Sequence, residues 1–150
     1  MGKGRILFVN QEIMPFLPEN ENSYMGRYLP SFVQEKGREI RVFMPRFSNV
    51  NERKNQLHEV IRLSGMNLIV NNADHQLIIK VGSIPTARMQ VYFIDNEEYF
   101  TKHKGFFDDK GKFCTDNDER ILFFGRGTLE LSASWRGSLT LFTLLAGSHA

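Results

Sequence analysis

Near the start of the chain Ile6, Leu7, Phe8 and Val9 follow one another without a polar interruption. A short unbroken apolar run suits a strand covered on both faces, as in a parallel sheet flanked by helices. Gln11 to Asn22 follows and carries Pro15 and Pro18 among polar residues. Proline fixes its own dihedral and removes a backbone donor, so this stretch reads as a loop. Behind Ser23, a candidate N-cap, Tyr24, Tyr28, Leu29, Phe32 and Val33 recur at helical spacing. Pro30 should kink that helix or lie near its start, and Gly37 should end it. Ile40 to Met44 reads as a second strand, closed by Pro45. Strand, helix, strand in this compass is a βαβ unit with a right-handed crossover.

The middle of the chain changes character. Val60 to Ser64, Asn67 to Asn71, Gln76 to Ile84 and Arg88 to Ile94 are rich in β-formers, and short turns separate them. Strands so close in sequence pair antiparallel. The reading is an inserted hairpin or meander, then a return to the main sheet at Val91 to Ile94. Asp95 to Phe100 suits one helical turn, and Thr101 to Thr115 a polar loop with Gly105 and Gly111. Asp116 and Asn117 offer capping chemistry for a last helix through Ile121, Leu122, Phe124, Thr128 and Leu129.

With 150 residues, 41% hydrophobic and 24% charged, the chain suits one domain that fills a core without cross-links. Lys plus Arg is 19 against 17 for Asp plus Glu, a formal net charge of +2, so no nucleic-acid partner is expected. The single cysteine, Cys114, excludes an internal disulfide and a cysteine-based zinc site. No apolar run reaches the ~18–20 residues that span a bilayer. Asn10, Gln11 and Glu12 cut the first apolar run short of a signal-peptide core. A cytoplasmic protein without a membrane partner is expected.

Candidate chemistry is sparse. His58, His75, His103 and His149 are scattered and form no ligand pair, so no metal or cofactor is assigned. Gly125-Arg126-Gly127 lies inside a predicted helix, where helix packing explains it better than a phosphate loop. Asp108, Asp109, Asp116, Asp118 and Glu119 read as solvated loop and helix cap, and Arg38, Arg41, Arg46, Arg53 and Lys54 as a solvated basic face. By position the leading site is the loop Gln11 to Asn22, because ligands of open α/β sheets sit beyond the carboxyl ends of the strands.

Four segments, in order, carry a family resemblance over roughly residues 3–130. They are I-L-F-V-N-Q-E-I-M-P-F at Ile6 to Phe16, Arg27-Tyr28-Leu29-Pro30 with Gly37 to Pro45, V-Y-F-I-D-N-E-E-Y-F at Val91 to Phe100, and D-N-D-E-R-I-L-F-F at Asp116 to Phe124. Together they resemble the N-terminal half of bacterial glycogen synthases and plant starch synthases, retaining glucosyltransferases that use ADP-glucose. The resemblance implies an α/β fold, a Rossmann-like three-layer sandwich that forms the N-terminal half of a GT-B glycosyltransferase, here with a β-hairpin insertion. It implies ADP-glucose and an α-glucan as partners. It places Glu12 at the family's glutamate position, and Phe107, Asp116 and Asn117 where the family has acceptor-side residues. No catalytic residue and no metal ligand carries over.

Two departures follow from the same alignment. Where the family's first loop reads K-T-G-G-L-A-D, this chain has Pro18-Glu19-Asn20-Glu21-Asn22-Ser23-Tyr24. The lysine and glycines that approach the phosphates are replaced, and two acids would oppose a diphosphate. The second departure is the segment 131–150, which has a single charged residue, Arg136. The family continues with a pattern like K-L-x-W-x-P-D-V-I-H-x-x-x-W. Back-translation of Ser132 to Ala150, read two bases out of frame, permits S-K-L-A-W-L-P-D-V-I-H-F-A-C-W-V-T. The expectation is therefore a domain over 1–130 and an out-of-frame tail over 131–150, truncated relative to the family and inactive alone. That tail should lack the family's next parallel strand and be poorly ordered or packed opportunistically. The alternatives are a non-catalytic glucan-binding or protein-interaction domain, for which exposure of Tyr99, Phe100, Phe106 and Phe107 is the discriminating feature, and an unstable remnant.

Overall fold

The computed structural model describes residues 5–101, 105–107 and 110–133, and the backbone of 139–144. It is a mixed α/β fold. Strand β1 (Arg5–Asn10) leads through a loop into helix α1 (Glu21–Glu35) and strand β2 (Glu39–Pro45). Two short strands follow: β3 (His58–Glu59) and β4 (Asn67–Val70). After them come β5 (Ala73–Gln76), β6 (Ile78–Ile84) and β7 (Met89–Asp95), then helix α2 (Asn117–Ser132) and β8 (Leu139–Leu144). The main sheet runs β3-β6-β7-β2-β1-β8, and β4 and β5 form a separate antiparallel hairpin. The pairs β7–β2, β2–β1 and β1–β8 are parallel, whereas β6 pairs antiparallel with β7, and β3 with β6.

The βαβ unit forms as expected, and so does the return strand beside β2, with Met44 opposite Phe93. Phe8, Val42, Met44, Ile79, Val91, Phe93, Ile94 and Phe123 are all at most 1% exposed. Burying each such side chain contributes about 1.5–3 kcal/mol.

Helix α1 begins earlier than Ser23. Its N-cap is Asn20, whose side chain accepts from Ser23 N while Ser23 Oγ accepts from Asn20 N. Ser23 is thus the third residue of a capping box, and the cap moves because an Asn three places upstream completes that reciprocal pair. Pro30 sits inside the helix rather than near its start. It has no N–H for the Gly26 carbonyl, and Asn10 Nδ2 donates to that carbonyl instead at 3.4 Å. Gly26 lets the helix approach the loop after β1, since a Cβ there would collide with the Glu12 carbonyl oxygen. Gly37 takes φ +87° and ends the helix as expected.

Two local expectations are corrected. Val60 to Ser64 is not a strand: Ile61–Leu63 is a 3-10 turn, because Ser64 Oγ and Ser64 N both bond to the Val60 carbonyl and curl the chain. The turn expected over Asn71 to Asp74 shrinks to Asn71-Asn72, both at positive φ, so that Ala73 pairs with Val70.

The tail also departs from expectation. A parallel strand does follow α2: Leu139–Leu144 pairs with the whole of β1, from Arg5 opposite Leu139 to Asn10 opposite Leu144. Backbone donors and acceptors pair without reference to the side chains they carry, and a short run of Leu, Thr and Phe accepts extended geometry beside β1. Residues 134–138 and 145–150, also included in the expectation of poor order, lie outside the described residues, as do Asp108, Asp109, His103 and His149. Among the described residues no helix is long and apolar enough to cross a membrane.

Candidate functional site at the carboxyl ends of the strands

At the carboxyl ends of β1 and β2 the backbone turns away from the sheet and leaves a cavity of about 220 Å³. Gln11, Glu12, Leu17 and Pro18 line it from the loop after β1, Phe47 and Asn49 from the segment after β2, and Gly105, Phe106 and Phe107 from the loop before α2.

The loop after β1 is held, not loose. Ile13, Phe16 and Leu17 are buried. Met14 N donates to Ser23 O at 3.1 Å, and Ser23 Oγ donates to Pro18 O at 2.8 Å. Glu12 is fixed by Asn20, whose Nδ2 donates to Glu12 Oε1 at 2.8 Å. One Asn therefore caps the helix and positions the carboxylate.

The opposite wall is built from rings. Phe47 meets Phe106 edge-to-face at 5.3 Å and 89°. The Phe106 carbonyl accepts from Cys114 N at 3.0 Å and from Asn117 Nδ2 at 2.6 Å. Asn117 Oδ1 accepts from Arg120 Nη1 at 2.8 Å, and Arg120 Nε donates to the Tyr99 carbonyl at 2.6 Å. Arg120 is wholly buried, with its guanidinium over the rings of Phe47, Phe100 and Phe106. Burial lowers its pKa, and Asp116 opposes that fall. A buried cation anchored to two carbonyl oxygens sets the position of the ring wall.

The four residues singled out from the sequence divide. Glu12 and Phe107 meet at the cavity. Asn117 lies behind it, 1% exposed, with both polar atoms bonded to Phe106 and Arg120. Asp116 is the N-cap of α2, its side chain making no capping bond. Of the four aromatics proposed as stacking surfaces, Tyr99, Phe100 and Phe106 are buried, and Phe107 is 40% exposed. Tyr99 serves the interior: its hydroxyl lies 3.0 Å from His75 Nε2 and donates to Glu119 at 3.2 Å. Phe47 and Asn49 escaped the sequence reading, although their place just past a strand-ending proline is the signal that marks such positions. Within the basic set, Arg46 is taken up by an internal network, 3.2 Å from Asp95 and 3.4 Å from Glu52, and Lys80 bridges the same two acids. Gly127 lies against Leu77 and Ile94, as helix packing requires, whereas Gly125 faces open space.

A family model described as the starch synthase catalytic domain matches residues 5–139. The chain belongs to the starch synthase catalytic domain family. Glycogen synthase of Chlorobium phaeobacteroides is 36% identical over 128 residues, which is 84% of this chain and 26% of that protein. Glycogen synthase of Chlorobium chlorochromatii is 34% identical over 139 residues, covering 88% of this chain and 28% of that protein. This family chain thus spans about a quarter of the length of the curated relatives it matches. The catalytic domain of Starch Synthase IV from Arabidopsis thaliana, solved bound to ADP and acarbose, shares its fold at a TM-score of 0.74 and 16% identity, over 94% of this chain and 28% of that one.

Proposed function

We propose that these residues form the acceptor-side half of a glucosyltransferase of the glycogen and starch synthase kind. In the whole reaction glucose passes from ADP-glucose to the non-reducing end of an α-1,4-glucan with retention. The observation that carries the reading is the meeting of Glu12 and Phe107 at one cavity beyond the parallel strands, in a chain of this family. A sugar ring presents an apolar face to Phe107 and hydroxyl donors to the Glu12 carboxylate. Asn117 acts from behind by holding Phe106, and Asp116 opens the helix that carries Asn117.

The fold reading is a Rossmann-like three-layer sandwich with β4–β5 as an inserted hairpin. Its support is topological. The chain crosses from β1 to β2 in one direction and from β7 to β8 in the other. Two right-handed crossovers of opposite direction put α1 and α2 on opposite faces and leave a crevice beside β1.

By themselves these residues bind and do not turn over, because transfer needs donor and acceptor held together, and that positioning supplies about 7–11 kcal/mol of the barrier. A glucan-binding role without catalysis is favoured by the first turn of α1, where the capping box occupies the Ser23 amide and Glu19 and Glu21 add negative charge. The division into a domain over 1–130 and an out-of-frame tail over 131–150 remains part of the proposal, supported by the pattern that a shifted frame of Ser132 to Ala150 permits. Resequencing across those codons tests it, and the absence of a synthase-like extension in every phase overturns it.

Calorimetric titration with maltoheptaose and with ADP-glucose tests the functional reading. Maltoheptaose should bind, and Phe107→Ala should weaken it at least about tenfold. Failure of the unaltered chain to bind any α-glucan overturns the proposal. Binding of ADP-glucose would reject the purely glucan-binding alternative.

A further inference from the structure

The amino ends of β2 and β7 lie side by side, because the two strands pair parallel. They stand at the far end of the sheet from the cavity beside Glu12, separated from it by the seven residues of β2, about 20 Å of strand. A hollow of about 280 Å³ opens there. Arg38, Arg41 and Arg88 line it together with Gln34, Gln90 and Tyr92. Arg41 and Tyr92 also line an adjoining hollow of about 290 Å³, to which Arg62 contributes a further guanidinium. The whole chain has a formal net charge of only +2, so four arginines at one end are a concentration of charge that composition does not show.

The groups that might neutralise this charge are already engaged elsewhere. Among the described residues, Glu39 is the only carboxylate lining either hollow, and its Oε2 lies 3.0 Å from Arg5 Nε. The carbonyls that end α1, those of Phe32, Val33 and Gln34, accept from the amides of Lys36, Gly37 and Arg38. Arg38 and Arg88 are exposed and form no ion pair among the described residues. Arg88 stands at φ +51°, where the backbone favours Gly or Asn. Its carbonyl accepts from Gln34 Nε2 at 3.3 Å, which ties this turn to α1.

We propose that this hollow binds a small phosphate ester, its phosphate held by Arg38 and Arg88 and its hydroxylated body by Gln90 and Tyr92. Guanidinium forks donate in pairs to phosphate oxygens. A phosphate monoester carries about two negative charges near neutral pH, which matches two arginines without acidic partners. The neutral amide and phenol hydrogen-bond to hydroxyls. The volume lies at the lower end of ligand pockets, about 300 Å³ and upward, and suits a sugar phosphate rather than a polymer. The assignment stands apart from the glucan reading, since the hollow and the cavity share no lining residue.

Calorimetric titration of the full chain with glucose 6-phosphate tests this, with inorganic phosphate as the comparison ligand. The ester should bind, and more tightly than the bare anion. Arg38→Ala and Arg88→Asn should each weaken it at least about tenfold. Asparagine is chosen at position 88 because it tolerates positive φ, and circular dichroism confirms that both variants are folded. Arg53→Ala, at an exposed arginine outside both hollows, should leave the affinity unchanged. So should saturating maltoheptaose. The proposal is overturned if the ester fails to bind, binds no more tightly than inorganic phosphate, or competes with maltoheptaose. It is equally overturned if the affinity survives the loss of Arg38 and Arg88, or falls as far in Arg53→Ala.

Discussion

The two helices have almost the same length and opposite designs. Helix α1 buries only Ser23, Gly26 and Pro30, packs Leu29 and Val33 partly against the core and turns its rings outside, whereas α2 buries Phe123, Phe124 and Arg120 and shows Ile121, Leu122 and Leu129 to solvent. Their starts differ as well. The first turn of α1 is closed by Asn20 and Ser23, while Asn117 and Arg120 in the first turn of α2 reach inward to Phe106 and Tyr99. The contrast teaches that helical periodicity reports that a helix exists and not what its faces do. α2 holds the ring wall of the cavity in place, and α1 fixes Glu12 through its cap at one end and shows exposed rings along its length.

The largest test of this contrast is Arg120→Ala. It strips two buried carbonyl oxygens of their donor and empties the space between Phe47, Phe100 and Phe106, so it should cost about 3 kcal/mol or more. A urea titration measures it, and a loss within that of an ordinary surface change would break the claim that α2 is anchored by its cation.

Gly26→Ala probes the close approach of α1. The new methyl meets the Glu12 carbonyl, a backbone atom that cannot swing aside. A loss of about 1–3 kcal/mol is expected, with a displaced Glu12 loop and weaker glucan binding. Unchanged stability would mean that α1 is free to roll, and its outward rings would then need another explanation.

Asn20→Ala should cost about 1 kcal/mol through the lost cap. It also releases Glu12, so maltoheptaose affinity should fall by more than in Ser23→Ala, which disturbs the same cap without touching the carboxylate. Equal effects would separate Glu12 from the site.

The smallest effect is one of pH. Burial, and then the hydrogen bond to Glu119, raise the Tyr99 pKa above its ordinary 10.0. Above pH 10.0 the unfolded chain loses a proton that the folded chain retains, so stability falls as pH rises past that point. The fall should be shallower in Tyr99→Phe. Thermal melts between pH 9 and 11 would show it, and identical slopes would remove Tyr99 and Glu119 from the anchoring of α2.

Much of this was legible in the residues. The unbroken run Ile6 to Val9, the stop at Gly37 and the second run before Pro45 specify strand, helix and strand, because each rests on local backbone chemistry. The place of the cavity was legible for the same reason, since Glu12 lies just past a buried strand. Phe47 and Asn49 were not, because nothing local tells which of the residues after β2 returns to the mouth of β1. Three of the four aromatics near the site proved to be core, since the turn after Asp95 rolls Tyr99 and Phe100 under α2, where Phe100 N bonds back to Asn96 O at 3.0 Å.

The sequence by itself determined the first strand, helix and strand, the last helix, the family and the composition of the first loop, because propensity, capping chemistry and short motifs act within a few residues of where they are written. The tertiary structure alone decided which face of α1 is bare, that Asn20 serves both cap and carboxylate, that Arg120 holds the ring wall, and that Leu139–Leu144 pairs with β1. Each of those depends on atoms far apart in the chain meeting at one distance, and a sequence carries no distance until the chain has folded.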